Sequence, residues 1–364
     1  MNQVNHLYIH IPFCKHICWY CDFKRSLSDD KTKSQYIDLL IKELNDKYKN
    51  HKFKTIYVGG GTPNCLNHDL YRLLNKLSNH LQDDYEFTIE CNPEFITDKQ
   101  IKEFVNCKVN RISLGVQSTN DNILKQIGRK HTIKDVENAI NIIKNKFSQD
   151  IQLFERNIIK NNINNFSIDL IYGFNEQTIE DIQKDFEFIN KYKIPHVSFY
   201  SLEIKDNSIY GKMNYHINEV DIEDKLKFIE RKFSELGYIR YEVSNWCRDL
   251  SLTSKHNLAY WNSADWIGMG YGAFGFENLD YYNVSGSSLN WNVEHHKLTE
   301  EELYQQVFIM GLRTIYGLDL NNELHNKAYQ YYKNKLDKKQ ISIKNNHIVA
   351  KNLNTIDNIL IDLI

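Results

Sequence analysis

Cys14, Cys18 and Cys21 stand in a CxxxCxxC spacing, so three thiolates can converge from one short loop. Thiolates suit soft metal ions and iron-sulfur clusters. Two centres fit three such ligands: a zinc ion completed by His10 or His16, or a cluster that keeps one iron open. Structural zinc usually draws a second ligand pair from further along the chain, and no CxxC or HxxxH follows here. Cys65, Cys91, Cys107 and Cys247 have no metal-ligand partner at short spacing and are assigned to packing or chance.

Further candidates lie beyond this loop. The run Gly59-Gly60-Gly61-Thr62-Pro63 lets backbone approach a ligand that a Cβ would exclude, or simply makes a tight turn. Glu90, Gln117, Asp169, Tyr200 and Ser201 fall at or near the ends of apolar runs, where polar residues are either site groups or turn formers. Arg129, in Gly128-Arg129-Lys130-His131, offers a guanidinium for a carboxylate. A separate motif reads His256-Asn257-Leu258-Ala259-Tyr260-Trp261. Its His256 and Tyr260 share a face if the segment is helical. An imidazole there could ligate heme iron or be an ordinary buried, hydrogen-bonded histidine.

The elements that must position these groups alternate in type. Strand-like runs at 6–11, 54–58, 85–90, 109–116, 166–171 and 196–201 are separated by helical patterns at 33–49, 67–81, 97–105, 120–146 (a pair) and 178–192. Six βα units predict an α/β fold with an incomplete (β/α)6, TIM-like barrel. The polar, Asn-rich stretch 147–165 reads as an exposed insertion. A helix at 221–236 and a strand at 238–243 follow, then an aromatic, glycine-bearing stretch. Helices near 299–314 and 321–336, two short strands around 340–350 and a last helix from Thr355 predict a smaller α+β module, partly winged-helix-like. The expected division is 1–237 and 238–364.

A chain of 364 residues, 41% hydrophobic and 25% charged, can bury a substantial core. Its formal net charge of -2 offers no general attraction for nucleic acid or an anionic membrane surface. It shows neither a leader pattern nor the roughly 18 consecutive apolar residues of a spanning helix, so the expected location is the cytoplasm.

The segment Tyr8-Ile9-His10-Ile11-Pro12-Phe13-Cys14 through Cys21-Asp22-Phe23 resembles the signature of the radical S-adenosylmethionine HemN/HemW family. The resemblance implies a 4Fe-4S cluster on Cys14, Cys18 and Cys21 whose open iron chelates S-adenosylmethionine, so that one-electron reduction yields a 5'-deoxyadenosyl radical. It further implies cofactor contacts from Tyr8, Tyr20, Gly60, Gly61, Thr62 and Glu90, and a cavity for a second small molecule lined by Gln117, Arg129 and Asp169; Ser201, closing the sixth strand, is a further cofactor-binding candidate. His256, in the motif HNxxYW, is implied as the heme residue.

Phe23 stands where the coproporphyrinogen III oxidase branch is expected to have a fourth cysteine, and 13 residues precede Cys14 where that branch has a longer extension. Both features, with HNxxYW, point to the HemW branch. The implied role is a heme chaperone serving heme-accepting, respiratory-type proteins. Oxidation of coproporphyrinogen III is the alternative, and a zinc-stabilised binding module is a third reading. Turnover of a substrate, homodimer formation and peripheral membrane contact stay open. Against the family pattern, residues 172–178 read YGFNEQT in place of a Leu-Pro-Gly run.

Overall fold

The computed structural model describes residues 4–154 and 165–361. The chain runs β1 (His6–Ile11), α1 (Asp30–Tyr48), β2 (Phe53–Gly60), α2 (His68–Leu77), β3 (Leu81–Cys91), α3 (Asp98–Asn106), β4 (Arg111–Gln117), α4 (Asp121–Gln126), α5 (Ile133–Phe154), β5 (Phe166–Tyr172), α6 (Ile179–Lys191) and β6 (His196–Ser201). It continues through α7 (Ile209–Lys212), α8 (Glu219–Glu235), β7 (Ile239–Glu242), β8 (Asn245–Cys247), α9 (Lys255–Trp261), β9 (Trp266–Met269), β10 (Phe274–Glu277), β11 (Asp280–Ser287) and β12 (Asn290–Lys297). The last part is α10 (Glu300–Gly311), β13 (Leu318–Asp319), α11 (Glu323–Tyr332), β14 (Ile341–Lys344), β15 (His347–Ala350) and α12 (Ile356–Ile361).

Strands β1 to β6 pair in parallel and in chain order, as the six βα units predict. The arc does not close. It is the centre of a 12-stranded mixed sheet ordered β12-β11-β10-β9-β1-β2-β3-β4-β5-β6-β8-β7. The strands after Gly237 thus extend both edges of the barrel sheet, with β9 parallel to β1 and β8 antiparallel to β6. A separate three-stranded sheet, β13-β15-β14, packs with α10, α11 and α12 around Val307, Phe308, Leu312 and Tyr332.

The arc's two faces follow from a period of two. Leu7, Ile9 and Ile11 on β1, Ile56 and Val58 on β2, and Phe87 and Ile89 on β3 join the core under the helices. Each is fully buried, worth roughly 1.5–3 kcal/mol per side chain. The alternate residues are polar. Thr88 and Glu90 on β3, Arg111, Ser113, Gly115 and Gln117 on β4, Ser167 and Asp169 on β5, and His196, Ser198 and Tyr200 on β6 line the interior. Helices are started by local chemistry: Asp29 caps α1 by accepting from Thr32 N at 2.7 Å, and Thr178 with Asp181 forms a capping box on α6.

Two expectations change. The second helix of the predicted pair does not stop at 146 but continues to Phe154, and the rest of the stretch read as an insertion, except Asn165, lies outside the described residues. The aromatic stretch after the strand at 238–243 holds β9 and the antiparallel β10, β11 and β12, which periodicity does not reveal because β12 is exposed along most of its length.

Candidate functional site

The cysteine loop leaves β1 at Ile11 and is pinned at both ends. Ser26 N donates to Pro12 O at 2.6 Å, Cys14 N donates to Ser26 O at 3.1 Å, and Trp19 N reaches Ile127 O at 3.0 Å. Phe13 is fully buried, its ring edge-on to Tyr36 at 5.1 Å. Cys14, Cys18 and Cys21 all face one cavity. Thr62 Oγ1 donates to Cys14 Sγ at 3.6 Å and Arg129 Nη1 to Cys18 Sγ at 3.5 Å. Burial pushes the Cys14 and Cys21 thiols up to about 11, so they need a positive centre to ionise at neutral pH.

Among the described residues no three His, Cys, Asp or Glu side chains converge on a single ion. His10, weighed as a zinc ligand, uses both ring nitrogens, Nδ1 with Tyr8 OH at 2.9 Å and Nε2 with Lys24 O at 2.8 Å. His16 leans towards Glu94 at 3.6 Å. Cys14, Cys18 and Cys21 thus supply three thiols to one cavity wall, a donor set that iron-sulfur clusters and soft metal ions both accept.

The glycine run lies against the cysteine loop. Gly61 N donates to Ile11 O at 2.7 Å and Thr62 N to Phe13 O at 2.8 Å. Protein atoms already fill the space over each glycine: a Cβ would stand 2.8 Å from the Glu90 carboxyl carbon at Gly59, 2.6 Å from the His10 ring at Gly60 and 2.9 Å from Cys14 Sγ at Gly61. Gly60 also holds φ at +113°, where a side chain is strained. Its N–H donates to Glu90 Oε2 at 2.8 Å while Tyr57 OH donates to Oε1 at 2.7 Å. Burial outweighs these bonds and pushes the Glu90 carboxyl up to about 7.

Beyond Glu90 the cavity, about 450 Å³, takes in Tyr20, Gln117, Arg129, Asp169 and Ser201. Gln117 adopts φ +69°, and Gly115 leaves room that a Cβ would fill, 2.9 Å from Gln117 Nε2 and 3.0 Å from Arg129 Nη2. The Arg129 guanidinium is bound by protein, donating to Asn92 Oδ1 at 3.1 Å and to the Gly115 carbonyl besides Cys18. Asp169 accepts from Ser113 Oγ at 2.8 and 3.1 Å, and burial raises its carboxyl. Tyr8 is not at the cavity surface. It packs behind it, against Ala273, Tyr282 and Val284, with its hydroxyl on His10. Sequence reasoning passed over Tyr57, Asn92, Ser113, Ser198 and His196, which also line the cavity. The period-two alternation on each strand could have found all but Asn92.

The motif His256–Trp261 forms most of α9 and sits at the opposite, N-terminal end of the strands. Glu86 on β3 accepts from Lys255 N at 3.0 Å and from His256 N at 2.9 Å, fixing the helix start. Arg111 at the head of β4 donates to Leu252 O at 2.9 Å. Ser254 and Asn257 close the cavity floor. His256 itself is 1% exposed, with Nδ1 on Thr55 Oγ1 and Nε2 on Tyr260 OH, both at 2.6 Å, and its ring stacked on Tyr57 at 5.1 Å. Burial holds it neutral, well below its usual range. The structure therefore brings together the cysteines, Tyr20, Gly60, Gly61, Thr62, Glu90, Gln117, Arg129, Asp169 and Ser201, and does not bring His256 to the cavity.

Comparison with known proteins adds kinship to this geometry. Residues 8–189 match the model of the Radical SAM superfamily. The chain is 34% identical to the heme chaperone HemW of Lactococcus lactis, covering 87% of this chain and 84% of that one. It is 29% identical to HemW of Bacillus subtilis over 85% and 84% of the two chains, and 31% identical to HemW of Escherichia coli over 74% and 69%. The fold is shared with the coproporphyrinogen III oxidase HemN of Escherichia coli, a radical SAM enzyme, at TM-score 0.76 and 19% identity over 99% of this chain and 90% of that one.

Proposed function

We propose, because this chain belongs to the HemN/HemW family of the radical S-adenosylmethionine superfamily, that it is a heme chaperone of the HemW type, taking up heme and passing it to respiratory-type acceptors in the cytoplasm or at a membrane surface. The observation that carries the reading is the 34% identity spread over 84% of a curated heme chaperone. The likeness to HemN at 19% identity speaks for the fold alone. Among the described residues no helix is long and apolar enough to cross a membrane.

Cys14, Cys18 and Cys21 would hold the 4Fe-4S cluster, and the donor set fits it. Gly60, Gly61, Thr62 and Glu90, beside Cys14, would hold S-adenosylmethionine with Tyr20 opposite and Tyr8 supporting from behind. When bound, the pair supplies one-electron cleavage of S-adenosylmethionine. The chain's own residues keep that end ordered: Glu90 fixes the Gly60 amide, Thr62 steadies the Cys14 sulfur, and Arg129 places positive charge on Cys18. Gln117, Asp169 and Ser201 remain for a second small molecule deeper in the cavity.

The second reading, oxidation of coproporphyrinogen III, is supported by the cavity beyond Glu90, which leaves room for a second small molecule. One experiment separates the two. Protein reconstituted anaerobically with iron and sulfide is given S-adenosylmethionine and reductant, then heme and an apo-hemoprotein acceptor in one arm and coproporphyrinogen III in the other. The chaperone reading expects heme retention and transfer without carbon dioxide release. Carbon dioxide with protoporphyrinogen IX, and no heme retention, would reverse the order.

A further inference from the structure

The floor of the cavity, below Glu90 and Asp169, holds a positive charge with no counter-charge. Thr88 precedes Glu90 by two residues on β3, so it stands about 7 Å nearer the N-terminal ends of the strands, and its Cα is paired directly with that of Arg111 on β4. Both side chains line the floor together with Asn257. Arg111 is only 2% exposed, and among the described residues no carboxylate forms an ion pair with it. Its Nη1 donates to Leu252 O at 2.9 Å and to Asn165 Oδ1, both uncharged acceptors, and no described residue bonds Nη2 or Nε. Asp169, higher in the cavity, takes its hydrogen bonds from Ser113 and Ser167. Arginine is rarely this buried without a charged partner.

The neighbours of Arg111 narrow what can meet it. Thr88 is fully buried and its hydroxyl has no partner, a cost of about 1–3 kcal/mol unless something in the cavity accepts from it. His196 is saturated, with Nδ1 on Ser167 Oγ and Nε2 on Tyr241 OH, both at 2.8 Å. Burial first and the Arg111 charge second keep its imidazole neutral. An anion therefore completes the floor. The free edge of a guanidinium presents two parallel N–H groups spaced for the two oxygens of a carboxylate. Glu90 and Asp169 face the same cavity, which favours a singly charged ligand over a phosphate dianion.

We infer that the cavity floor is a carboxylate subsite: Arg111 takes the carboxylate through Nη2 and Nε, and Thr88 Oγ1 donates to one of its oxygens beside Asn257. The carboxylate belongs either to a free short-chain acid or to the deep end of the second small molecule that the cavity beyond Glu90 accommodates. The inference rests on reading that cavity as a small-molecule site, and it is independent of heme uptake.

Cluster-loaded full-length protein is titrated with propionate and, separately, with 4-phenylbutyrate, following saturation-transfer NMR of the acid and the thermal midpoint, with chloride at equal ionic strength as the control. Wild type is expected to bind an acid with saturation and to show no matching shift with chloride. Thr88→Val removes only the unpartnered hydroxyl, so it is expected to fold with an unchanged or higher midpoint and to bind the acid about tenfold more weakly. Arg111→Gln is expected to lose it, and if that variant does not fold, Thr88→Val decides. Tighter binding of 4-phenylbutyrate supports the subsite as the end of a larger ligand, and tighter binding of propionate supports it as a site for a free acid. Binding of neither acid by wild type, equal binding by wild type and Thr88→Val, or a chloride shift as large as that of propionate would overturn the subsite. Heme retention and transfer, measured separately, then still stand or fall on their own.

Discussion

Replacing Gly61 with alanine tests whether the glycine run serves the cysteine loop directly. The new Cβ would lie 2.8 Å from Phe13 O, 2.9 Å from Cys14 Sγ and 3.0 Å from Ile11 O. Ordinary carbon contacts stand near 3.5–4.0 Å, so something must move by roughly half an ångström or more. Two of the three neighbours are backbone oxygens, and both accept hydrogen bonds from Gly61 and Thr62. Relief therefore comes from sliding the two loops apart, which carries Cys14 with it. Overpacking of this kind costs about 1–3 kcal/mol, enough to lower the thermal midpoint of the apoprotein by a few degrees without unfolding it. Metal-ligand distances tolerate only about 0.2 Å, so the effect on the cluster is larger than on the fold. Gly61→Ala is expected to fold and to bind less than half the wild-type iron and sulfide after anaerobic reconstitution. Gly237→Ala is the control: it carries φ +72° with no atom within 4 Å of the new Cβ, so it costs only about 1–2 kcal/mol of backbone strain and leaves iron unchanged. Full iron and sulfide in Gly61→Ala would refute the reasoning.

Other outcomes follow from the same geometry. Cys14→Ser, Cys18→Ser and Cys21→Ser should each abolish the visible absorption of a reconstituted cluster, whereas Cys107→Ser, far from the cavity, should retain it; equal iron in all four would dismiss the ligand set. Glu90 is pushed up from an ordinary 4.5 to about 7 by burial, so its contribution to stability is complete below pH 4.5 and is lost as pH rises through 7. The loss is about 3 kcal/mol. Buried histidines such as His6 and His256, whose basicity is lowered, act with the opposite sign on the acid side, so the readout is a difference. Glu90→Gln should gain on wild type in urea midpoint between pH 4.5 and 8, and a difference flat with pH counts against the assignment. His256→Gln leaves the Thr55 hydroxyl on His6 but strands that of Tyr260, and should cost about 1–3 kcal/mol while leaving heme retention unchanged; loss of heme from a variant that still folds would restore His256 as the ligand.

Much of this was legible because it is local. The cysteine spacing, the strand at 6–11 and the polar residues at strand ends are short-range patterns, and the six strands and five helical regions of the barrel overlap the segments that periodicity marks, with α5 running on past 146 to Phe154. What escaped depends on distance along the chain. Nothing near Thr55 or Glu86 announces that His256 and the start of α9 will close on them. Interior polar residues such as Ser113 and His196 looked like ordinary strand residues until the register aligned Glu90 with Ser113, and Ser113 with Ser167. For His256 the residues alone left a ligand and a buried, hydrogen-bonded histidine both open, because spacing shows which residues share a helical face and not which way that face is turned.

The pairing of β9 with β1 sets a timetable for folding on the ribosome. Tyr8 and Ile9 leave early, but the strand that covers their outer edge, Trp266–Met269, arrives roughly 260 residues later. At about 5–20 residues per second that is on the order of 10–50 s, during which β1 presents an unpaired edge with the cysteine loop just beyond it. An exposed edge of this kind invites association with other chains. The cavity floor, Ser254 and Asn257, is likewise missing until shortly before that strand appears, so the nascent chain has both an open sheet edge and an open cavity until about residue 270 has been made.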